Sequence, residues 1–222
     1  CTDMDLSSDR ETVLHYFWQF QKKYPTILNF YCRDKGDFVL EEDKDQGHYR
    51  WASIEARRIC SGTVNPASVE TALEQHEYVL DLAPHLLSVS PLYGFDFTYR
   101  GNHNQLVMEA LGLPPAIERV AEFGGVQTVN YEPSITLALD EECRQQIRLN
   151  VETRTNAYQI RTGDYPEEQL SVYLTARRYG SMESGQSLVE AASELARLSC
   201  ELIDDFVVGQ ILQPLARAIA MK

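Results

Sequence analysis

A two-residue alternation decides the fold, and it is clearest in the run SITLAL at Ser134–Leu139. Apolar and polar side chains alternate in the same way from Ile147 to Arg154 and from Leu170 to Arg177. Successive side chains of a β-strand point to opposite faces, so each run predicts a strand with one face on a core and the other in solvent. Strands of a parallel sheet covered on both faces would be apolar throughout, and the pattern therefore favours an antiparallel, meander-like sheet.

A long amphipathic helix is predicted after the last of these strands. Ser187 and Glu190 form a capping box at its start, and Pro214 is expected to break or kink it near its end. Its apolar stripe must be covered, either by the sheet or by the same helix of a second chain, which would make a homodimer through the C-terminal helix. We favour the sheet, because half-apolar strands need a cover and the helix follows them directly. The stripe consists of Leu188, Ala192, Leu195, Ser199, Leu202, Phe206 and Gly209.

Helical patterns dominate the first 90 residues. Three helices are predicted: from a capping box at Ser8–Glu11 to Pro25, from Tyr49 to Gly62, and from an N-cap at Asn65 to near Pro84. Between the first two, residues 27–32 and 38–41 are expected to form a hairpin of strands. Further on, a strand is predicted at Gly94–Arg100, followed by helices over residues 102–111 and 115–123.

These elements together predict an α+β fold: an antiparallel, meander-like sheet packed against a long C-terminal helix, with a mainly helical N-terminal third. We expect a single domain over residues 1–222. Alternatively, residues 1–90 form a loosely separate helical subdomain, and residues 91–222 hold the sheet and the final helix.

Charge and cysteine content limit the partners and the compartment. The 33 acidic and 20 basic residues give a net charge of −13, which disfavours nucleic-acid partners. No apolar run approaches the ~20 residues that span a bilayer, so no transmembrane segment is predicted. The five cysteines form no C-x-x-C pair, which favours free thiols and a cytoplasmic location. Alternatively, Cys1 is the lipid-bearing cysteine of an anchored lipoprotein, which leaves four cysteines for two disulfide bridges.

The common catalytic fingerprints are absent from the sequence. It contains no P-loop, no G-x-G-x-x-G after a strand, no H-E-x-x-H and no G-x-S-x-G. We therefore expect a ligand- or partner-binding domain without evident catalytic machinery, with no cofactor and no metal, and whether the chain is an enzyme stays open.

The element order also supports a second interpretation. One strand, two helices, several antiparallel strands and a long final helix resemble the helix-grip folds. That resemblance implies a small-molecule carrier with an apolar cavity lined by Leu188, Leu195 or Phe206, or a hydrolase that uses the residues described below.

Arginines mark the predicted polar face of the sheet. Residues 147–180 contain four acids and five bases, so this segment alone is not acidic. Forked guanidinium groups at alternating positions could bind a small anionic ligand, although ordinary cross-strand and diagonal ion pairs are the simpler explanation. The residues that we assign to this face are Arg100, Arg148, Arg154, Arg177 and Tyr173.

A second cluster lies where a predicted strand meets a predicted helix. Asp96 and His103 are the catalytic candidates: Asp96 would orient His103, His103 would activate water, and Arg100 would bind an anion. The alternative is structural, with Asn102 as the N-cap of the helix and His103 as an ordinary residue of its first turn.

Overall fold

The computed structural model confirms the α+β fold class, with helices and two antiparallel sheets. Its contacts divide the chain into two compact units: unit 1 is Cys1–Ser90 with Arg178–Ala196, and unit 2 is Pro91–Arg177 with Arg197–Lys222. That the whole chain folds as one domain stays a prediction. The structure describes residues 10–33, 36–83, 89–124, 127–179 and 187–222.

Unit 1 is built on a four-stranded antiparallel meander in the order β1-β2-β3-β4. Helices α1 and α2 share a core with it, so that apolar side chains from both helices meet those of β2 and β3. The elements are α1 (Arg10–Lys23), β1 (Asn29–Cys32), β2 (Phe38–Glu41), β3 (Tyr49–Glu55), β4 (Arg58–Val64) and α2 (Val69–Asp81). The buried core consists of Val13, Phe17, Phe20, Ile27, Leu40, Ala52, Ile54 and Val79.

The prediction of a helix from Tyr49 to Gly62 is wrong, because this segment forms the β3–β4 hairpin. Trp51 lies opposite Gly62, and a Cβ atom at Gly62 would lie 2.5 Å from the Trp51 Nε1 atom. Gly62 therefore makes room for the indole ring inside a strand, and it does not end a helix. Aromatic and β-branched residues on both sides of a two-residue turn gain more from cross-strand packing than from a local helix.

The third predicted helix exists, but its N-cap differs. Ser68 is the N-cap of α2: its Oγ atom accepts a hydrogen bond from Thr71 N, and Thr71 Oγ1 accepts one from Ser68 N. Asn65 adopts a positive φ of 47° and donates from Nδ2 to the carbonyl oxygen of Gly47 at 2.7 Å. Ser8, from the first predicted capping box, lies outside the described residues.

Unit 2 contains the alternating strands, in the order β5-β8-β7-β6. The strands predicted from alternation are confirmed, as are the two helices after β5. Between β7 and β8 the chain forms a short helix, α5, with a capping box between Asn156 and Gln159. The elements are β5 (Leu92–Arg100), α3 (His103–Leu111), α4 (Pro115–Ala121), β6 (Ser134–Ala138), β7 (Gln145–Glu152), α5 (Ala157–Thr162) and β8 (Glu167–Arg178).

The chain ends in a long helical segment with three parts: α6 (Leu188–Leu202), a π-helical stretch (Ile203–Leu212) and α7 (Gln213–Ala220). The predicted capping box is present, since Ser187 N donates to Glu190 Oε2 and Glu190 N donates to Ser187 Oγ. The helix packs on a sheet as expected. In unit 2, this core consists of Leu106, Val107, Val151, Leu170, Val172, Val207, Ile211 and Leu215.

The π-helical stretch shifts the buried side of the helix by one residue. Phe206, predicted on the covered stripe, is 51% exposed, whereas its neighbour Val207 is buried. A π-helix forms hydrogen bonds between residues i and i+5, as Gln213 N does with Val208 O. Residues at α-helical spacing therefore no longer lie on one side of the helix. Pro214 does not end the helix, which continues to Ala220.

Two findings concern the cysteine side chains and the length of the helices. Cys32, Cys60, Cys143 and Cys200 are free thiols, while Cys1 lies outside the described residues. Within the described part of the chain, no helix combines the length and the apolar character that a membrane crossing requires.

Candidate functional site

The Ser171 hydroxyl joins two of the predicted site residues, Asp96 and Arg154, on the polar face of the unit 2 sheet. Asp96 lies opposite Ser171, and the neighbours of Asp96 in β5, Phe95 and Phe97, pack on the core side. Ser171 Oγ donates a hydrogen bond to Asp96 Oδ1 at 2.5 Å and accepts one from Arg154 Nη2 at 3.3 Å. One hydroxyl therefore bridges a carboxylate and a guanidinium group.

This bridge holds three chain segments together. Asp96 belongs to β5, Ser171 to β8, and Arg154 lies just after β7, where it adopts a positive φ of 55°. The Ser171 side chain is fully buried, so its hydroxyl is not open to a substrate. Opposite charges that share one hydrogen-bonding partner are well suited to fixing strand positions.

The other residues of the predicted arginine face have neighbours of their own. Arg100 lies opposite Glu167 in the β5–β8 register, and Arg148 Nε donates to Ser134 Oγ at 3.3 Å. Tyr173 lies opposite Gly94, where a Cβ atom would come within 3.1 Å of its ring, and Arg177 is exposed. A small anionic ligand on this face stays a prediction.

His103 and Asp96 have different hydrogen-bonding partners. His103 is buried at the start of α3, with Nδ1 at 2.5 Å from the carbonyl oxygen of Thr153 and Nε2 at 3.1 Å from that of Tyr99. A neutral imidazole can donate to one of these oxygens, and an imidazolium can donate to both. The ring therefore links the start of α3 to the backbone at Tyr99 and Thr153. A catalytic role of Asp96 and His103 stays a prediction.

Next to His103 lies a second buried polar residue, Asn104, which belongs to the same cluster in the sequence. Asn104 is fully buried: its Oδ1 atom accepts from Tyr131 N at 2.9 Å and from Thr153 Oγ1 at 2.8 Å, and its Nδ2 atom donates to Val129 O at 3.0 Å. It therefore ties α3 to the segment before β6 and to the chain after β7. The sequence gives only a weak indication of this role. An asparagine at the start of a helix is usually explained by N-capping, and Asn102 is the N-cap here.

The largest departure from the sequence prediction concerns β6. Ile135, Leu137 and Leu139 were expected on a buried face, but they are 52%, 51% and 43% exposed. The register pairs Ile135 with Leu149 and Leu137 with Ile147, whose side chains belong to the core side of β7. The apolar face of the sheet thus continues onto β6. The side chains that bury this face on β7 and β8 do not cover it on β6.

A second exposed apolar surface lies on α4. No residue of this short helix is buried. Ile117, Val120 and Phe123, at three-residue spacing, are more than half exposed. Unit 2 thus presents apolar side chains to solvent both on a strand and beside a helix, which is unusual for a chain that needs to cover only its own core.

Other kinds of site find little support. Among the residues that the structure describes, no group of three or more His, Cys, Asp or Glu side chains could hold a metal ion.

No family model, no curated protein and no solved structure matches the chain.

Proposed function

We propose that this chain is a partner-binding domain whose contact surface is the β6 edge, defined as strand Ser134–Ala138 with the adjoining Leu139. The exposure of three large aliphatic side chains in a row on this edge carries the proposal. Exposed leucines that occur singly are ordinary, whereas a contiguous apolar row marks an interaction site.

The position of β6 in the sheet supports the same function. It is the last strand in the order β5-β8-β7-β6, so within the described part of the chain its outer backbone groups face no further strand. Proteins usually protect such edges with charged residues, prolines or bulges. β5, at the opposite edge of this sheet, carries Asp96 and Arg100, while β6 carries no charged residue.

The geometry of the predicted catalytic residues also favours binding over hydrolysis. Hydrolysis needs a base within about 3 Å of the proton that it removes, in a place that substrate can reach. His103 faces two backbone carbonyl oxygens, and Asp96 accepts a hydrogen bond from the buried Ser171 hydroxyl. These contacts favour a structural role for both residues, so the exposed apolar row is the better candidate for function.

A matched pair of variants tests this function. Leu137→Lys places a charge on the β6 edge, and Leu92→Lys places one on a leucine of the opposite edge strand that is also more than half exposed. Proteins captured from the source cells by the wild-type chain are purified, and their affinities for the three chains are measured by titration. We expect at least one partner to bind Leu137→Lys about tenfold or more weakly and Leu92→Lys unchanged. Equal affinities for all three chains would contradict the proposal.

A further inference from the structure

We infer that the occupant of the β6 edge is a second copy of this chain, paired antiparallel through β6 about a two-fold axis at Thr136. This inference rests on the proposed function and names its partner. It differs from a homodimer through the C-terminal helix, because the unit 2 part of that helix already buries Val207, Ile211 and Leu215 against its own unit.

The first argument is the direction of the backbone groups. Leu139 N donates to Gln145 O, and Val151 N donates to Pro133 O, so the odd-numbered residues of this segment bond to β7. In an antiparallel ladder, bonding directions alternate along the strand. The N–H and C=O groups of Ser134, Thr136 and Ala138 therefore point away from β7, where they can form hydrogen bonds with a further strand.

The second argument is that the strand complements itself. With the axis at Thr136, the two Thr136 residues exchange a pair of hydrogen bonds, and each Ser134 exchanges a pair with Ala138 of the second copy. On the core-side face, Ile135 then lies opposite Leu137 of the second copy, in the closer type of pair, in which side chains pack well. Four exposed aliphatic side chains would cover one another without any change in the strand.

The third argument is charge. Two copies of a chain with a net charge of −13 repel each other, so close association is less unfavourable where the surface is uncharged. Residues 133–139 contain no charged side chain. The nearest acids are Glu132 and Asp140, and the Asp140 carboxylate accepts from the backbone N–H groups of Arg144 and Gln145 in its own turn. Because Glu132 and Asp140 of the second copy still approach at the ends, we expect added salt to strengthen the dimer.

Sedimentation equilibrium of the full chain tests the inference. An interface of one strand pair is small, so we measure up to about 500 µM chain, above the micromolar range expected of weak interfaces. The wild-type chain should approach twice the mass of one chain, and more so in 0.5 M than in about 0.05 M sodium chloride. A wild-type chain that stays monomeric over this range would overturn the inference.

Two variant pairs locate the contact. Thr136→Pro removes an N–H group that points away from β7, so it should abolish the dimer and leave the fold intact, while Thr136→Ala keeps the N–H group and should dimerise. Should Thr136→Pro fail to fold, Leu137→Lys gives the same information, with Leu92→Lys as its control, because both side chains are exposed. A dimer that survives both edge variants overturns the inference, and loss of that dimer in Phe206→Lys would place it on the C-terminal helix.

The same measurements separate this inference from the proposed function. A monomeric chain that binds another protein, and loses that binding in Leu137→Lys, overturns the second-copy inference and supports the proposed function. A chain that neither dimerises nor loses a partner in Leu137→Lys contradicts both.

Discussion

Replacing Asn104 by alanine tests whether unit 2 depends on a buried amide at the start of α3. The side chain makes three hydrogen bonds, to Tyr131 N, Thr153 Oγ1 and Val129 O, all between 2.8 and 3.0 Å. Asn104→Ala removes the three together and leaves a small cavity. The backbone groups of residues 129 and 131 lie in a segment that water can reach, whereas Thr153 is fully buried.

The expected loss follows from these three bonds. An intramolecular hydrogen bond contributes about 1 kcal/mol net, and a buried hydroxyl without a partner costs about 1 kcal/mol more. The free energy of unfolding of unit 2 should therefore fall by about 3–4 kcal/mol, well above the ~1 kcal/mol of an average substitution. The exposed neighbour Gln105, whose side chain donates to Glu109 on the helix surface, is the control, and Gln105→Ala should cost less than about 0.5 kcal/mol.

The assay must report on unit 2. Both tryptophans, Trp18 and Trp51, lie in unit 1, so tryptophan fluorescence would follow the wrong unit. We would measure hydrogen exchange at the amide of Val172, a fully buried residue in the middle of β8, and expect it to accelerate about 100-fold or more in Asn104→Ala. An acceleration of less than about fivefold, or an equal effect in Gln105→Ala, would refute the argument, since tenfold corresponds to about 1.4 kcal/mol.

Two further predictions concern unit 1 and the C-terminal helix. Gly62→Ala should lower the free energy of unfolding by about 1–3 kcal/mol, because the new methyl group overlaps the indole ring of Trp51. Gly209→Ala places its methyl group in open space on a helix, so it should raise the free energy of unfolding by about 0.5–1 kcal/mol. Urea denaturation of both variants measures the two effects, which have opposite signs. Burial lowers the pKa of His76, whose Nδ1 atom lies 2.7 Å from Ser61 Oγ. Below about pH 6.5 the unfolded chain then binds a proton more readily than the folded one, so stability should fall as the pH falls towards 5. His76→Gln should remove that part of the pH dependence and His48→Gln, at an exposed position, should leave it unchanged; an identical pH profile in wild type and His76→Gln would contradict the assignment.

Sequence predicts the parts of this fold that depend on local pattern. Alternation from Ile147 to Val151 and across β8 marks the strands correctly, because one face of each is buried and the other is polar. The Tyr49–Val64 hairpin is mispredicted, since Trp51, Ile54 and Ile59 also fit a helical spacing. Cross-strand pairs such as Trp51 with Gly62 distinguish the hairpin from a helix, and they are not visible in the local pattern. Nothing in the periodicity of residues 203–212 indicates the π-helical bonding that moves Val207 into the core.

The candidate site is harder to predict, because its geometry depends on contacts between distant segments. Asp96 and Ser171 are 75 residues apart in sequence, and only the β5–β8 register places them side by side. Exposure of Ile135 and Leu137 depends on how far the helical layer extends over the sheet, which alternation within β6 does not determine. A strand pattern thus indicates which face is apolar, and the tertiary structure decides whether that face is covered.

Amide hydrogen exchange along β6 tests the central claim most directly. In a dilute sample, the amides of Ile135 and Leu137, which bond to β7, should exchange slowly, while those of Thr136 and Ala138 should exchange rapidly. Raising the chain concentration, or adding a partner that binds the β6 edge, should slow Thr136 and Ala138 selectively. If those two amides are already protected at high dilution, or still exchange rapidly in the complex, β6 is not the contact surface.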